Sequence, residues 1–450
     1  MPKYVLAKLG VCICILTFNA YADVTNQIQD HIATHFPANF TVNETQVAQL
    51  AWAFEHDKPT RDMDSHRTVE YKYVEINRAL TRLYCARLLR LGNRDAYNQF
   101  VRAQLATGVR DPLSFVSFTK LAQHIQNLSM LDYDLLQTAA ILSAVSLSKP
   151  ASELAQGIMD GVPATNKMDF LALTLRNNAN IYPLAQQMLQ DHTTAKKLLY
   201  ILFPPQTNFR HMLYTEGGIG MFKYLRTMIT HGFIDREGLD LWYAHWIVNI
   251  AGFRGHVDSR GSLYLTESVA SAMQKLRGLI YEILNHPNFN PLPSYLEYRA
   301  QRLGYGNLST DDRLFMTHLG CLLRLYNAAD GQILHKSVQR LSTQQFAAVK
   351  KSFYAGLHDP MQNTAQHVPA VFANGLRMTN GDIAQVITQI LPAYNKILLL
   401  AEQQKITAPL SFDELAATDS VTYLLNNPPS TLRFEIVENG TVLLQSQYRN

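Results

Sequence analysis

From Asn26 to about Leu415, apolar residues return at steps of three and four, and no clear alternating run of the β type interrupts them. That period lines side chains up along one stripe of a helix, so the body of the chain has to bury helical stripes against one another. Between Val69 and Leu91 the positions Val74, Ile76, Leu80, Leu83, Tyr84, Leu88 and Leu91 fall largely on one face. Similar patterns run from Leu131 to Leu147, Thr193 to Phe203, Gly238 to Ala251, Leu263 to Leu284, Leu314 to Tyr326 and Val386 to Glu402. Helix-start signals agree with the period: Asp111-Pro112, Pro150 ahead of Ala151-Ser152-Glu153, and Ser342 three residues before Gln345 as a capping box. The expected fold class is all-α and multi-helical, in two packed helical subdomains, with a small C-terminal β-hairpin.

The strongest break is Phe203-Pro204-Pro205-Gln206, because neither proline fits a helix interior and each restricts the residue before it. It separates an N-terminal helical subdomain, 23–203, from a second one, 206–415. Pro287, Pro291 and Pro293 mark another interruption, expected as an extended linker or surface loop. After Ala416 the character changes: Leu432 to Ile436 alternates, Asn439-Gly440 follows, and Thr441 to Leu444 returns. Asn-Gly between such runs predicts a type I′ hairpin over 431–446, docked on the helices or paired with a third strand at Val421–Leu425. One short repeat stands out. Leu88-Leu89-Arg90-Leu91-Gly92-Asn93 and Leu322-Leu323-Arg324-Leu325-Tyr326-Asn327 match at five of six positions, but nothing flanking them aligns and no solenoid period emerges.

The first 22 residues set the expected destination. Lys3 and Lys8 precede an apolar run from Leu9 to Phe18, and Ala20-Tyr21-Ala22 offers a small-x-small cleavage pattern. This predicts a signal peptide over 1–22 and an exported chain, periplasmic or extracellular. Val11 before Cys12 and Ile13 before Cys14 do not fit lipoprotein processing. Later apolar stretches are broken by polar residues or Pro392, so no membrane span is expected. Loss of Lys3 and Lys8 lowers the formal charge from +4 to +2, and Lys and Arg are scattered among acids, which argues against nucleic acid as a partner. Only Cys85 and Cys321 would remain after cleavage, enough for one bridge at most and too few for a cysteine-rich metal site.

The best candidate site is Gly252-Phe253-Arg254-Gly255-His256-Val257-Asp258-Ser259-Arg260-Gly261-Ser262, an unusually polar connection between two apolar helices. Its glycines would let backbone approach a ligand, and Ser262 could cap the following helix, whose free N–H groups favour an anion. Arg254 and Arg260 would clamp a carboxylate or phosphate, with His256 and Asp258 beside them. The plain structural alternative is a capped turn in which Asp258 pairs with an arginine. A sharper version makes His245, His256 and Asp258 metal ligands, although the spacing of His245 and His256 is not that of paired ligands on one helix. His56-Asp57 and His358-Asp359 each resemble the His-Asp pair of metal-dependent phosphohydrolases, two residues at a time. Thr215 to Gly220 forms a second glycine-rich turn, lacking a phosphate-loop ending, which reads as a helix start or hinge.

Which cofactor, if any, the chain takes is unknown from the sequence, and whether it is an enzyme stays open at this level. The leading expectation is an exported helical binding or interaction protein, taking a small anionic ligand or a protein partner, with 252–262 as the anion loop. The alternatives are a metal-assisted hydrolase using the His245, His256 and Asp258 region, and a secreted effector-like protein.

Overall fold

The computed structural model describes residues 23–55, 73–144, 184, 191–202, 208–216, 218–232, 234–358 and 365–445. The signal segment, the Pro150 helix start, Pro204-Pro205 and His56-Asp57 lie outside them. The fold is all-α with one small C-terminal hairpin. It divides into two compact units, the first formed by Met1–Thr60, Asp64–Pro205 and Arg236–Ala270, the second by Arg61–Met63, Gln206–Asp235 and Ser271–Asn450. A sequence division at 203/206 keeps 206–415 together. In the structure residues 236–270 belong to the first unit instead, because the Arg236–Gly252 helix packs on Val74–Leu91.

In the first unit, Val74–Leu91 is the central helix, and fourteen of its 18 residues are buried. Phe115–Gln126, Met130–Leu142 and Arg236–Gly252 pack around it. Leu80, Leu83, Phe100, Phe118, Trp242, Tyr243 and Ile247 are essentially inaccessible, and each such side chain contributes roughly 1.5–3 kcal/mol of burial. The helix stops at Gly92, whose φ of 63° lets its N–H reach back to Leu88 O at 3.0 Å. Asn93 then caps the next helix, its Oδ1 accepting from Ala96 N at 2.9 Å.

The second unit gathers Pro291–Arg302, Thr310–Leu322, Ala328–Val338, Ala347–His358, Val368–Met378, Ile383–Gln403 and Thr418–Asn426 around a core that includes Leu319, Phe372, Val386, Ile387 and Leu391. Pro291 and Pro293 do not form a linker. They sit in the first turn of Pro291–Arg302, where a missing N–H costs nothing, and Asn290 caps that turn. Ile383–Gln403 is long and apolar enough to cross a membrane, which the sequence reading did not expect. Just over half of it is buried inside the unit, however, and Asn395 on it accepts from Ala348 N and donates to Gln344 O. Cys85 and Cys321 are buried free thiols, one in each unit.

The hairpin forms as Phe434–Ile436 paired antiparallel with Val442–Leu444, Phe434 opposite Leu444 and Ile436 opposite Val442. Its turn is not type I′. Gly440 alone has a positive φ, 85°, and Gly440 N donates to Val437 O at 2.8 Å, the geometry of a type I turn closed by a left-handed glycine. Val421–Leu425 is not a third strand but part of the helix Thr418–Asn426. Ser411 bonds alongside the hairpin instead, donating to Gly440 O and accepting from Val442 N.

The repeated sextet proves to be helix punctuation. Its final asparagine caps a helix in both copies, Asn93 as above and Asn327 through Oδ1 and Asp330 N at 2.9 Å. The helices before it end at different points, though, with the left-handed residue at Gly92 in one and at Arg324 (φ 57°) in the other. A shared cap role explains the likeness without a shared geometry.

Candidate functional site

Loop 252–262 is held down by helices of its own unit. A Cβ at Gly252 would lie 2.5 Å from Arg82 N, and one at Gly261 would lie 2.5 Å from both Gln99 O and Phe100 O. These glycines therefore answer to close packing on protein backbone rather than to the approach of a ligand. Ser262 N donates to Phe100 O at 2.8 Å, and the buried Gln104 donates to Ser262 O and Leu265 O while accepting from Leu113 N. Ser259 ties the loop outward by donating to His35 O at 3.0 Å.

Ser262 does not cap the next helix. Its hydroxyl accepts from Leu265 N at 3.2 Å, and the helix starts later, at Glu267. The N-terminus expected to favour an anion is already occupied, because Asp111 accepts from Ser268 N through its carboxylate and from Glu267 N through its carbonyl. Glu267 returns the service. It accepts from Ser114 N and Ser117 Oγ at the start of Phe115–Gln126, completing between two helices the box that usually forms within one.

What remains concave is a cavity of about 480 Å³, with residues 255–260 on one side and Thr34 to Pro37, Asn77 and Arg102 on the others. Asp258 and Arg260 pair across two bonds, Nη2 to Oδ2 at 2.6 Å and Nε to Oδ1 at 3.0 Å. Burial works against ionising Asp258, but the hydrogen bonds and charge of Arg260 prevail and hold its carboxyl below the usual range. Arg260 stays about half exposed. Arg78 Nε donates to His256 Nδ1 at 3.1 Å, which fixes the imidazole proton on Nε2. Arg254 is half-buried and does not line the cavity, so the expected clamp of Arg254 with Arg260 is not formed. Arg102 faces the cavity in its place.

The metal version finds no geometry to support it. Among the described residues no three His, Cys, Asp or Glu side chains gather as a metal would need. His245 is buried in Arg236–Gly252, and burial, with the charge of Arg82, pushes its pKa down to about 3. Asp359 lies outside the described residues, and His358 packs against Tyr354 at 4.5 Å.

A second cluster, in the other unit, escaped the reading of the sequence except for the turn that carries it. Glu216 is buried beside Thr215 and accepts from His367 N, with His211 Nδ1 at 3.3 Å from its other oxygen. Burial lifts the Glu216 pKa to about 7, against the opposing pull of the His367 bond, Arg324 and Arg210. His318, on Thr310–Leu322, donates Nε2–H to Thr215 O at 2.9 Å. Thr215 (φ 55°), Arg324 (φ 57°) and His367 (φ 66°) all hold left-handed backbone that non-glycine residues rarely adopt, and such strain collects at functional sites. The signal available in the sequence was a glycine-rich turn carrying a lone glutamate. His211 and Arg210 lie close to it in the chain, but His367 and Arg324 are more than a hundred positions away.

Fold and cavity together define a two-unit, multi-helical protein with an open, donor-lined cavity in its first unit. The chain belongs to the family described as "Family of unknown function (DUF6829)", whose model matches residues 31–406. No curated protein and no solved structure matches it.

Proposed function

We propose that this chain is an exported binding protein whose first unit takes a small anion, a carboxylate or a phosphate, in the cavity beside residues 255–260. The lysines, apolar run and Ala20-Tyr21-Ala22 pattern at the N-terminus support export. The observation that carries the binding reading is the convergence of Arg102 and Arg260 on one cavity that is open to solvent and bordered by the His256 loop. Asp258 neutralises Arg260 on one edge only. The guanidinium's outer N–H groups and those of Arg102 remain for an incoming anion.

Titration calorimetry of the full chain with phosphate and with succinate tests this reading. Arg102→Ala and Arg260→Ala should each weaken binding by about three- to tenfold, the scale of a partly solvated charge contact. Asp258→Asn should strengthen it several-fold by freeing Arg260. If neither anion saturates the protein, or if all three variants bind as the parent does, the anion reading fails.

A further inference from the structure

Two cavities of the second unit share His318 and Phe353. One is a chamber of about 20 Å³, bordered by Thr215, Glu216, Ser352 and Tyr394, with room for about one water or one hydroxyl group. The other is a groove of about 460 Å³, walled by Leu314, Phe315, Phe353, Tyr354 and Leu357, a volume in the range of small-ligand pockets.

The polar end of this pair is short of a donor. Thr215 O can only accept, so the His318 proton sits on Nε2 and the lone pair on Nδ1. That Nδ1 has no hydrogen-bond partner, although the residue is only 3% exposed. The imidazole does not relieve this by taking a second proton, since burial holds its pKa down to about 4. A buried acceptor left unmade is costly, and a chamber of this size admits a single small group to meet it. Arg210 and Arg324 act on Glu216 from nearby, so the surroundings do not favour a cationic group. A neutral hydroxyl fits the chamber in size and charge and meets His318 Nδ1 in hydrogen-bond sense.

We propose that the second unit binds a neutral long-chain alcohol, its hydroxyl donating to His318 Nδ1 in the chamber and its aliphatic chain lying in the groove past Phe353. Hydroxyl and chain then satisfy the two cavities together, the one by a hydrogen bond and the other by apolar burial. This site is separate from the anion cavity in residues and in ligand chemistry.

The test is titration calorimetry of the full chain with 1-decanol and with 1-methoxydecane, which keeps the chain and loses the donor. Decanol should saturate at one equivalent, and the ether should bind at least tenfold more weakly, as sites built to pair a hydroxyl reject analogues without one. Ala347→Trp, at an exposed position within the groove, should weaken decanol at least tenfold with an unchanged melting temperature. His318→Phe should make alcohol and ether bind alike. Arg102→Ala should leave decanol binding as it was, which separates this outcome from the fate of the anion reading. A chamber holding only a structural water predicts no decanol saturation up to its solubility limit, and that result overturns the proposal. Equal binding of alcohol and ether by the parent protein, or indifference to Ala347→Trp, overturns it too.

Discussion

The two cavities differ in what their polar groups already possess. Around loop 252–262 most groups have partners within the unit: Asp258 holds Arg260, Arg78 donates to His256, Ser262 bonds locally, and the glycines press on backbone. Around His318 an acceptor stands unmet, a glutamate is driven to a pKa of about 7, and three residues are held in strained backbone. Visible charge in a loop is thus a poor guide to unmet chemistry, because short-range partners are what such a loop most easily finds. Buried groups drawn from distant helices have fewer ways to be satisfied, and a deficit there costs more in low dielectric.

Substitutions of graded severity sharpen this contrast. The largest effect is expected at Gly218, on the wall of the chamber: its φ is +56°, and a Cβ would lie 2.2 Å from Gly356 O. Gly218→Ala should cost about 4 kcal/mol, whereas Gly232→Ala, with φ +69° and open space around it, should cost about 1 kcal/mol, both read by urea unfolding. Similar losses at the two glycines would mean the chamber wall is looser than its contacts imply. Next comes Gln104→Leu, which orphans Leu113 N, Ser262 O and Leu265 O under the loop and should lower stability by roughly 3 kcal/mol. A shift below 1 kcal/mol would show that the loop keeps its shape by its glycine contacts alone.

The smallest effect is a pH dependence. With its folded pKa near 4 against an ordinary 6.5, His318 binds fewer protons folded than unfolded between those values, so its contribution is present above pH 6.5 and lost as pH falls towards 4. His245 acts in the same direction. Glu216 acts oppositely, its raised pKa favouring the folded state as pH drops from about 7. His318→Gln should therefore reduce the stability lost between pH 6.5 and 5 by about 2 kcal/mol. An unaltered slope in unfolding free energy against pH would place the titration elsewhere.

Most of the helical architecture was legible in the sequence because the three-and-four spacing is a local property that burial merely confirms. Val74–Leu91 and Ile383–Gln403 fall where the period placed them. Proline and turn chemistry were read less well. Pro291 and Pro293 looked like helix breakers, but a cap at Asn290 put them where helices tolerate proline. Asn439-Gly440 closed a hairpin with only the glycine left-handed, since Asn439 spends its side chain on Thr441 N at 3.0 Å. The polar loop stood out in the sequence, and the pairing of Asp258 with an arginine was its structural alternative. Arg102 and His318 did not stand out, because sequence spacing carries no record of which helices turn their faces towards one cavity.

Asp111 and Glu267 stand more than 150 positions apart, yet each supplies a carboxylate to the helix start that the other stretch of chain brings beside it. Loss of the Asp111 carboxylate leaves Ser268 N without its acceptor, and loss of Glu267 does the same to Ser114 N and Ser117 Oγ, so each substitution is felt at a helix start more than 150 positions away. The two stretches of chain that meet there therefore share their helix starts as well as a common core.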